Sequence, residues 1–143
     1  MAKNKWSKYI ITDAEDPMAN TQECKEMAPF VTQMTYLSGD RIKGACHFGC
    51  AWYFKPPKAP LPAHTHTFDE FLGFYGSDPK NPRDLGGEIE FWMEDEKYVL
   101  TKSFLAYIPA GVKHCPLKIV RIDRPMFHFG GSPAQTYSKK ESL

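Results

Sequence analysis

The sequence predicts an all-β protein, a sandwich or barrel of about eight or nine short strands with almost no amphipathic helix. Three observations carry this expectation. Short runs rich in aromatic and β-branched residues recur along the chain, several of them alternating apolar with polar positions as half-buried strands do. Clusters of Gly, Pro, Asp, Asn and Ser separate those runs. At 143 residues, with 42% hydrophobic and 14% aromatic residues, the chain suits one domain that buries an adequate core without staples.

Residues 1–29 read as an N-terminal arm: Thr12–Pro17 is acidic and turn-like, and Asn20–Met27 suits a short helix ended by Pro29. The main domain spans residues 30–130. Phe30–Leu37 is its first strand, turned at Ser38-Gly39-Asp40, and Ala45–Phe54 is its second. The proline-rich Lys55–Pro62 cannot donate to a ladder, so it belongs at an edge or in an extended lead-in. Phe71–Tyr75 is a strand, and Gly76–Gly87, full of turn residues, reads as a long loop. Glu88–Met93 alternates, Glu94-Asp95-Glu96 turns the chain, and Lys97–Leu100 returns it. Ser103–Ile108, Leu117–Ile122 and Met126–Phe129 complete the set, and residues 131–143 read as a polar C-terminal tail. No internal repeat or second domain is visible.

A formal charge of +1 without a basic block argues against nucleic acid or an anionic membrane as partner. No apolar run approaches the roughly 20 residues that span a bilayer. Met1–Trp6 carries positive charge with no apolar stretch after it, so no secretory signal is expected and a cytoplasmic location is. Cys24, Cys46, Cys50 and Cys115 include no C-x-x-C pair, which makes a zinc ribbon a poor reading and reduced, mostly buried thiols the expected state.

The chemistry concentrates in His64-Thr65-His66-Thr67-Phe68-Asp69-Glu70. Residues two apart on a strand share a face, so His64 and His66 direct both imidazoles to one point. Glu70 lies four residues beyond His66 and cannot join them on a straight strand; the chain must turn near Thr67-Phe68-Asp69. Glu70, Leu72 and Phe74 then share an inner face, while Phe71, Gly73 and Tyr75 face the other way. Downstream, Pro109-x-Gly111-x-x-His114 carries a turn signature and sets His114 at a strand entrance. Three neutral imidazoles and one carboxylate suit a divalent transition metal (iron, manganese, nickel, cobalt, copper or zinc) and are too nitrogen-rich for calcium or magnesium.

These two pieces resemble the cupin superfamily, whose motifs run G-x5-H-x-H-x3,4-E-x6-G and G-x5-P-x-G-x2-H-x3-N. This chain has His64-x-His66-x3-Glu70, with Gly76 one residue early, and Pro109-x-Gly111-x2-His114. It departs at Lys58 and Ser103, in place of the opening glycines, and at Lys118, in place of the final asparagine. The resemblance covers roughly residues 30–130 and implies a double-stranded β-helix, or jelly-roll, barrel. It implies His64, His66, Glu70 and His114 as metal ligands, and a homodimer formed through sheet edges.

Tyr36, Arg41, His47, Trp52, Phe74, Trp92 and His128 are candidate substrate contacts, each weighed against an ordinary core or surface role. Arg41 suits a carboxylate, His47 an acid, base or contact, and His128 a hydrogen bond that orients a ligand. Asp69 is expected to point to solvent, and Cys115 to face away from the site. The functional expectation is a metal-dependent enzyme, dioxygenase, isomerase or lyase, acting on a small oxygen-rich or aromatic molecule. A non-catalytic module that binds a small molecule and metal is the alternative, and a structural domain stapled by metal is a third.

Overall fold

A computed structural model describes residues 4–15, 22–134 and 140–141. Strands β1 (Val31–Leu37), β2 (His47–Tyr53), β3 (His64–Thr65), β4 (Glu70–Gly76), β5 (Asp84–Met93), β6 (Glu96–Lys102), β7 (Phe104–Ile108), β8 (His114–Ile122), β9 (Met126–Ser132) and β10 (Lys140–Glu141) form two antiparallel sheets. The first sheet has the order β1-β2-β9-β4-β7, the second β10-β3-β8-β5-β6. This is the jelly roll that the sequence predicts. The two sheets share no strand among the described residues, so they face each other without closing into a barrel.

Each inner face is set by alternation. On β4, Glu70, Leu72 and Phe74 are buried, Phe71 is half-buried and Tyr75 exposed. On β5 and β8, Ile89, Phe91, Leu117 and Ile119 face the same core. The arm contributes a short 3-10 turn at Ser7–Tyr9 and helix α1 (Gln22–Met27). Asn20, the expected helix start, lies outside the described residues. No described helix is long and apolar enough to cross a membrane.

The expected loop at Gly76–Gly87 is shorter than its turn residues suggest. Only Ser77–Arg83 connect β4 to β5, and Asp84-Leu85-Gly86-Gly87 already belong to β5. Leu85 is 0% exposed and sits in the core. The reason is an irregularity in the β5–β6 register between Asp84 and Ile89, with Gly86 at φ 72°. Gly86 accepts the Asp123 and Arg124 amides, and the Asp84 carboxylate holds both the Gly86 amide and the Arg124 guanidinium. Turn-type residues thus build a bulge rather than a loop. Ser103, which stands where the motif has glycine, receives the Gly76 amide at 3.0 Å and donates its hydroxyl to the Pro82 carbonyl at 2.7 Å, pinning both ends of the true loop. At the C-terminal side, β9 runs through Ser132, and β10 pairs with β3; residues 135–139 and 142–143 of the expected tail lie outside the described set.

Leu85 separates the bulge from the loop reading. As a core residue, Leu85→Ala should cost about 2–5 kcal/mol in urea unfolding. A loop leucine would change stability by no more than about 0.5 kcal/mol.

Candidate metal centre

His64, His66, Glu70 and His114 are brought together between the sheets, each offering one ligand atom within 4.8 Å of the others. Their exposures are 2%, 3%, 8% and 1%. Glu70 opens β4 in the first sheet, whereas His64 on β3 lies opposite His114 on β8 in the second. The cluster therefore bridges the two sheets. The chain turns between His66 and Glu70, as the spacing requires, and the ring of Phe68 stacks on His66 at 4.8 Å and 16°. Gly111, at φ 83°, sits in the Pro109–Val112 turn and donates its amide to the His66 carbonyl at 2.9 Å, tying the second motif to the first.

The histidine orientations are fixed from behind. His64 Nδ1 lies 2.8 Å from the Pro62 carbonyl, and His114 Nδ1 3.0 Å from the Val112 carbonyl. A carbonyl only accepts, so both Nδ1 atoms carry hydrogen and both Nε2 atoms are left to face the cluster. Glu70 Oε2 lies 2.8 Å from His66 Nε2 and 3.1 Å from His114 Nε2. Burial works against the Glu70 charge. The His114 hydrogen bond and the fields of His66, His114 and His64 outweigh it, and hold the carboxyl below its usual range.

For His114 this arrangement is decisive. Its Nδ1 hydrogen is committed to Val112, so a neutral ring would present a lone pair to the carboxylate oxygen. A cation must lie in that contact, either a second proton on the ring or a metal ion. Ligands about 2.1 Å from one ion lie about 3 Å apart when they meet at a right angle, which the 2.8 and 3.1 Å separations match. The donor set fits a divalent transition metal.

Asp69 lies at the solvent-exposed surface, as expected, and is engaged there: its Oδ1 accepts the Ala110 amide at 2.9 Å and its Oδ2 the Tyr107 hydroxyl at 2.5 Å. These bonds hold the carboxyl below its usual range and raise the Tyr107 phenol. Asp69 clasps the loop that delivers His114 to the turn that delivers Glu70. Its partners lie 38 and 41 residues away, so no local pattern reveals it.

The other candidate contacts divide by face. Tyr36 and His47 lie on the inner side of the first sheet, with their rings 5.5 Å apart. Phe74 also faces inward, but as core, stacked on His128 and Phe104. His128 makes no hydrogen bond to a cluster residue among the described bonds. Its Nδ1 donates to the Gly73 carbonyl at 2.9 Å, and burial pushes its pKa down to about 4. Arg41 is engaged elsewhere, 2.6 Å from the Asp13 carboxylate of the arm and 3.2 Å from the Tyr36 carbonyl. Trp52 packs on Phe127 on the outer face of the first sheet, away from the cluster. Trp92 alternates with core residue Phe91 and so faces outward on the second sheet, beside Ala63, Lys113 and Pro116. Cys115 is buried, at φ 70° beside a β5–β8 register shift, and lies next to Trp92 and Ala63 rather than among the cluster ligands.

Two outcomes follow. Asp69→Ala should weaken metal affinity about 10- to 100-fold in a chelator competition, with Asp69→Asn retaining part of it through the Ala110 amide. An ordinary histidine takes up a proton near pH 6.5, so between pH 6.5 and about 4 the unfolded chain binds more protons at His128 than the folded one does. Stability is therefore lost as pH falls through that window. His128→Gln should flatten that part of the slope in urea titrations of metal-free protein.

No protein-family model and no curated protein matches the sequence. Solved structures do match. A recombinant oxalate oxidase in complex with glycolate aligns with a TM-score of 0.53 and 12% identity, over 90% of this chain and 59% of that one. The DMSP lyase DddQ from Ruegeria pomeroyi DSS-3 aligns with a TM-score of 0.52 and 16% identity, over 89% of this chain and 58% of that one. The chain thus spans about three-fifths of the length of these proteins. At such identities the likeness speaks for architecture alone. Together with the two facing sheets and the motif positions of His64, His66, Glu70 and His114, it shows that the chain has the cupin fold.

Proposed function

We propose that this cupin is a metal-dependent enzyme acting on a small oxygen-rich or aromatic molecule bound at one divalent transition metal. His64, His66, Glu70 and His114 would hold the ion. The observation that carries the reading is His114, whose committed Nδ1 leaves a cation as the natural occupant of its contact with Glu70. When bound, such an ion supplies Lewis acidity or, with iron, access to dioxygen chemistry. The chain's own part is to fix the imidazole tautomers through Pro62 and Val112, keep Glu70 ionised, and exclude bulk water from all four ligands. Dioxygenase, isomerase and lyase chemistries all use these capacities, and the fold does not select among them.

Among the described residues Cys46 and Cys50 form no disulfide, which supports a reducing, cytoplasmic setting. We also propose a homodimer. Leu105 and Tyr107 are 59% exposed on the outer face of the first sheet, where Phe48, Phe71, Phe129 and Tyr75 form one aromatic surface.

Protein purified without added metal should contain near one transition-metal ion per chain by elemental analysis, and His66→Ala and Glu70→Ala should lose most of it. Wild-type protein that stays metal-free after exposure to iron, manganese, nickel, cobalt, copper and zinc salts would overturn the metal reading. Oxygen uptake by the iron form then separates the oxygenase branch from redox-neutral chemistry. Light scattering should give twice the chain mass; a monomer mass refutes the dimer.

A further inference from the structure

Beside the cluster, the inner face of the first sheet carries a polar strip that the metal ligands do not use. The β4–β9 register, continued one residue past Phe71↔Gly131, sets Ser132 next to Glu70, and Ser132 is paired with His47 on β2. Continuing the β1–β2 register past Leu37↔Phe48 sets Ser38 opposite His47. Glu70, Ser132, His47 and Ser38 thus cross the sheet in one line, with neighbouring strands about 4.8 Å apart. Ser132 is 1% exposed and Ser38 0%, yet neither hydroxyl has a hydrogen-bond partner among the described residues. Buried hydroxyls are ordinarily satisfied, so two orphans on one line beside a metal cluster point to a partner that comes from outside the chain.

The next line of the sheet is lined by glycine. Gly49 and Gly130 occupy inner-face positions there, and a Cβ on either would meet only ordinary contacts, the nearest at 3.7 Å. Both residues keep partial exposure between the sheets. At one end of this glycine floor stands His128. Its Nδ1 hydrogen is committed to the Gly73 carbonyl, so the neutral ring presents Nε2 as an acceptor, 3.7 Å from where a Gly130 Cβ would be. Arg41, the nearest arginine in sequence, is held by Asp13 and the Tyr36 carbonyl.

We propose that Ser132, with His128 across the glycine floor, forms a subsite for the uncharged hydroxyl end of a small hydroxylated carboxylate whose anionic end completes the metal. This rests on the metal reading above. One serine hydroxyl and one lone-pair nitrogen match a group that both donates and accepts, which a hydroxyl does and a carboxylate or phosphate does not. The three imidazoles, one carboxylate and divalent ion leave a single positive charge, which suits one anionic group at the metal and none at the strip.

The test compares glycerate with lactate, which share the 2-hydroxy acid and differ by one terminal hydroxyl, in calorimetry on manganese-loaded full-length protein. Glycerate should bind about tenfold more tightly. Ser132→Ala should reduce that ratio to near one while leaving lactate affinity unchanged. Ser132→Ala should also melt no lower than wild type, because the hydroxyl it removes has no partner. Equal binding of the two acids by loaded wild-type protein, binding of neither, or a ratio that survives Ser132→Ala overturns the subsite and leaves the metal reading standing. Failure to load any metal overturns the metal reading and this inference with it.

Discussion

The contact between Glu70 and His114 joins a carboxylate from the first residue of β4 to an imidazole from the first residue of β8, and those strands belong to different sheets. Two sheets that share no strand are held by apolar packing between their inner faces and by this polar bridge. The apolar part is generic, supplied by Phe74, Ile89, Phe91, Ile108 and Ile119. The bridge is specific, because it places four polar residues where a core would otherwise be apolar. Burying them is tolerable only with their charges and lone pairs matched. A metal ion matches all four at once, whereas a proton matches one pair.

The remaining features of this end of the molecule keep that match in register. Carbonyls of Pro62 and Val112 select the imidazole tautomers, Gly111 bonds the His66 carbonyl, and Asp69 clasps the Ala110 amide. Each bond is ordinary in strength. Their common effect is to hold the turn before Glu70 and the turn before His114 in register with each other.

Much of this was legible in the sequence, for a physical reason. A ligand set is written as spacing, and spacing along a strand is geometry; His64, His66, Glu70 and His114 could be named because period two and a forced turn leave few ways to converge. Alternation likewise marked the buried side of β4. Parity alone, however, does not say which face is inner on every strand, and so Trp52 and Trp92 were candidates although both face outward. Turn residues do not announce whether they form a loop or a bulge, and so Leu85 was hidden inside β5. Arg41 was free on paper and is bound to Asp13 in space. Ser38 and Ser132 carry no pattern at all. A lone serine acquires meaning only once strand register places it beside Glu70.

Strand β3 is two residues long, and it holds His64. Glu70, by contrast, sits on a seven-residue strand flanked by β9 and β7. The two sides of the cluster thus differ in how much ladder anchors them. With the shorter ladder, the segment that supplies His64 and His66 would be the side to open first, at a free energy below that of global unfolding. Exchange of a bound ion would then be a local event of the 55–67 segment, with Glu70 and its strand staying in place as the dock to which the histidines return. The lifetime of the bound ion would follow the breathing of that segment more closely than the melting temperature of the domain.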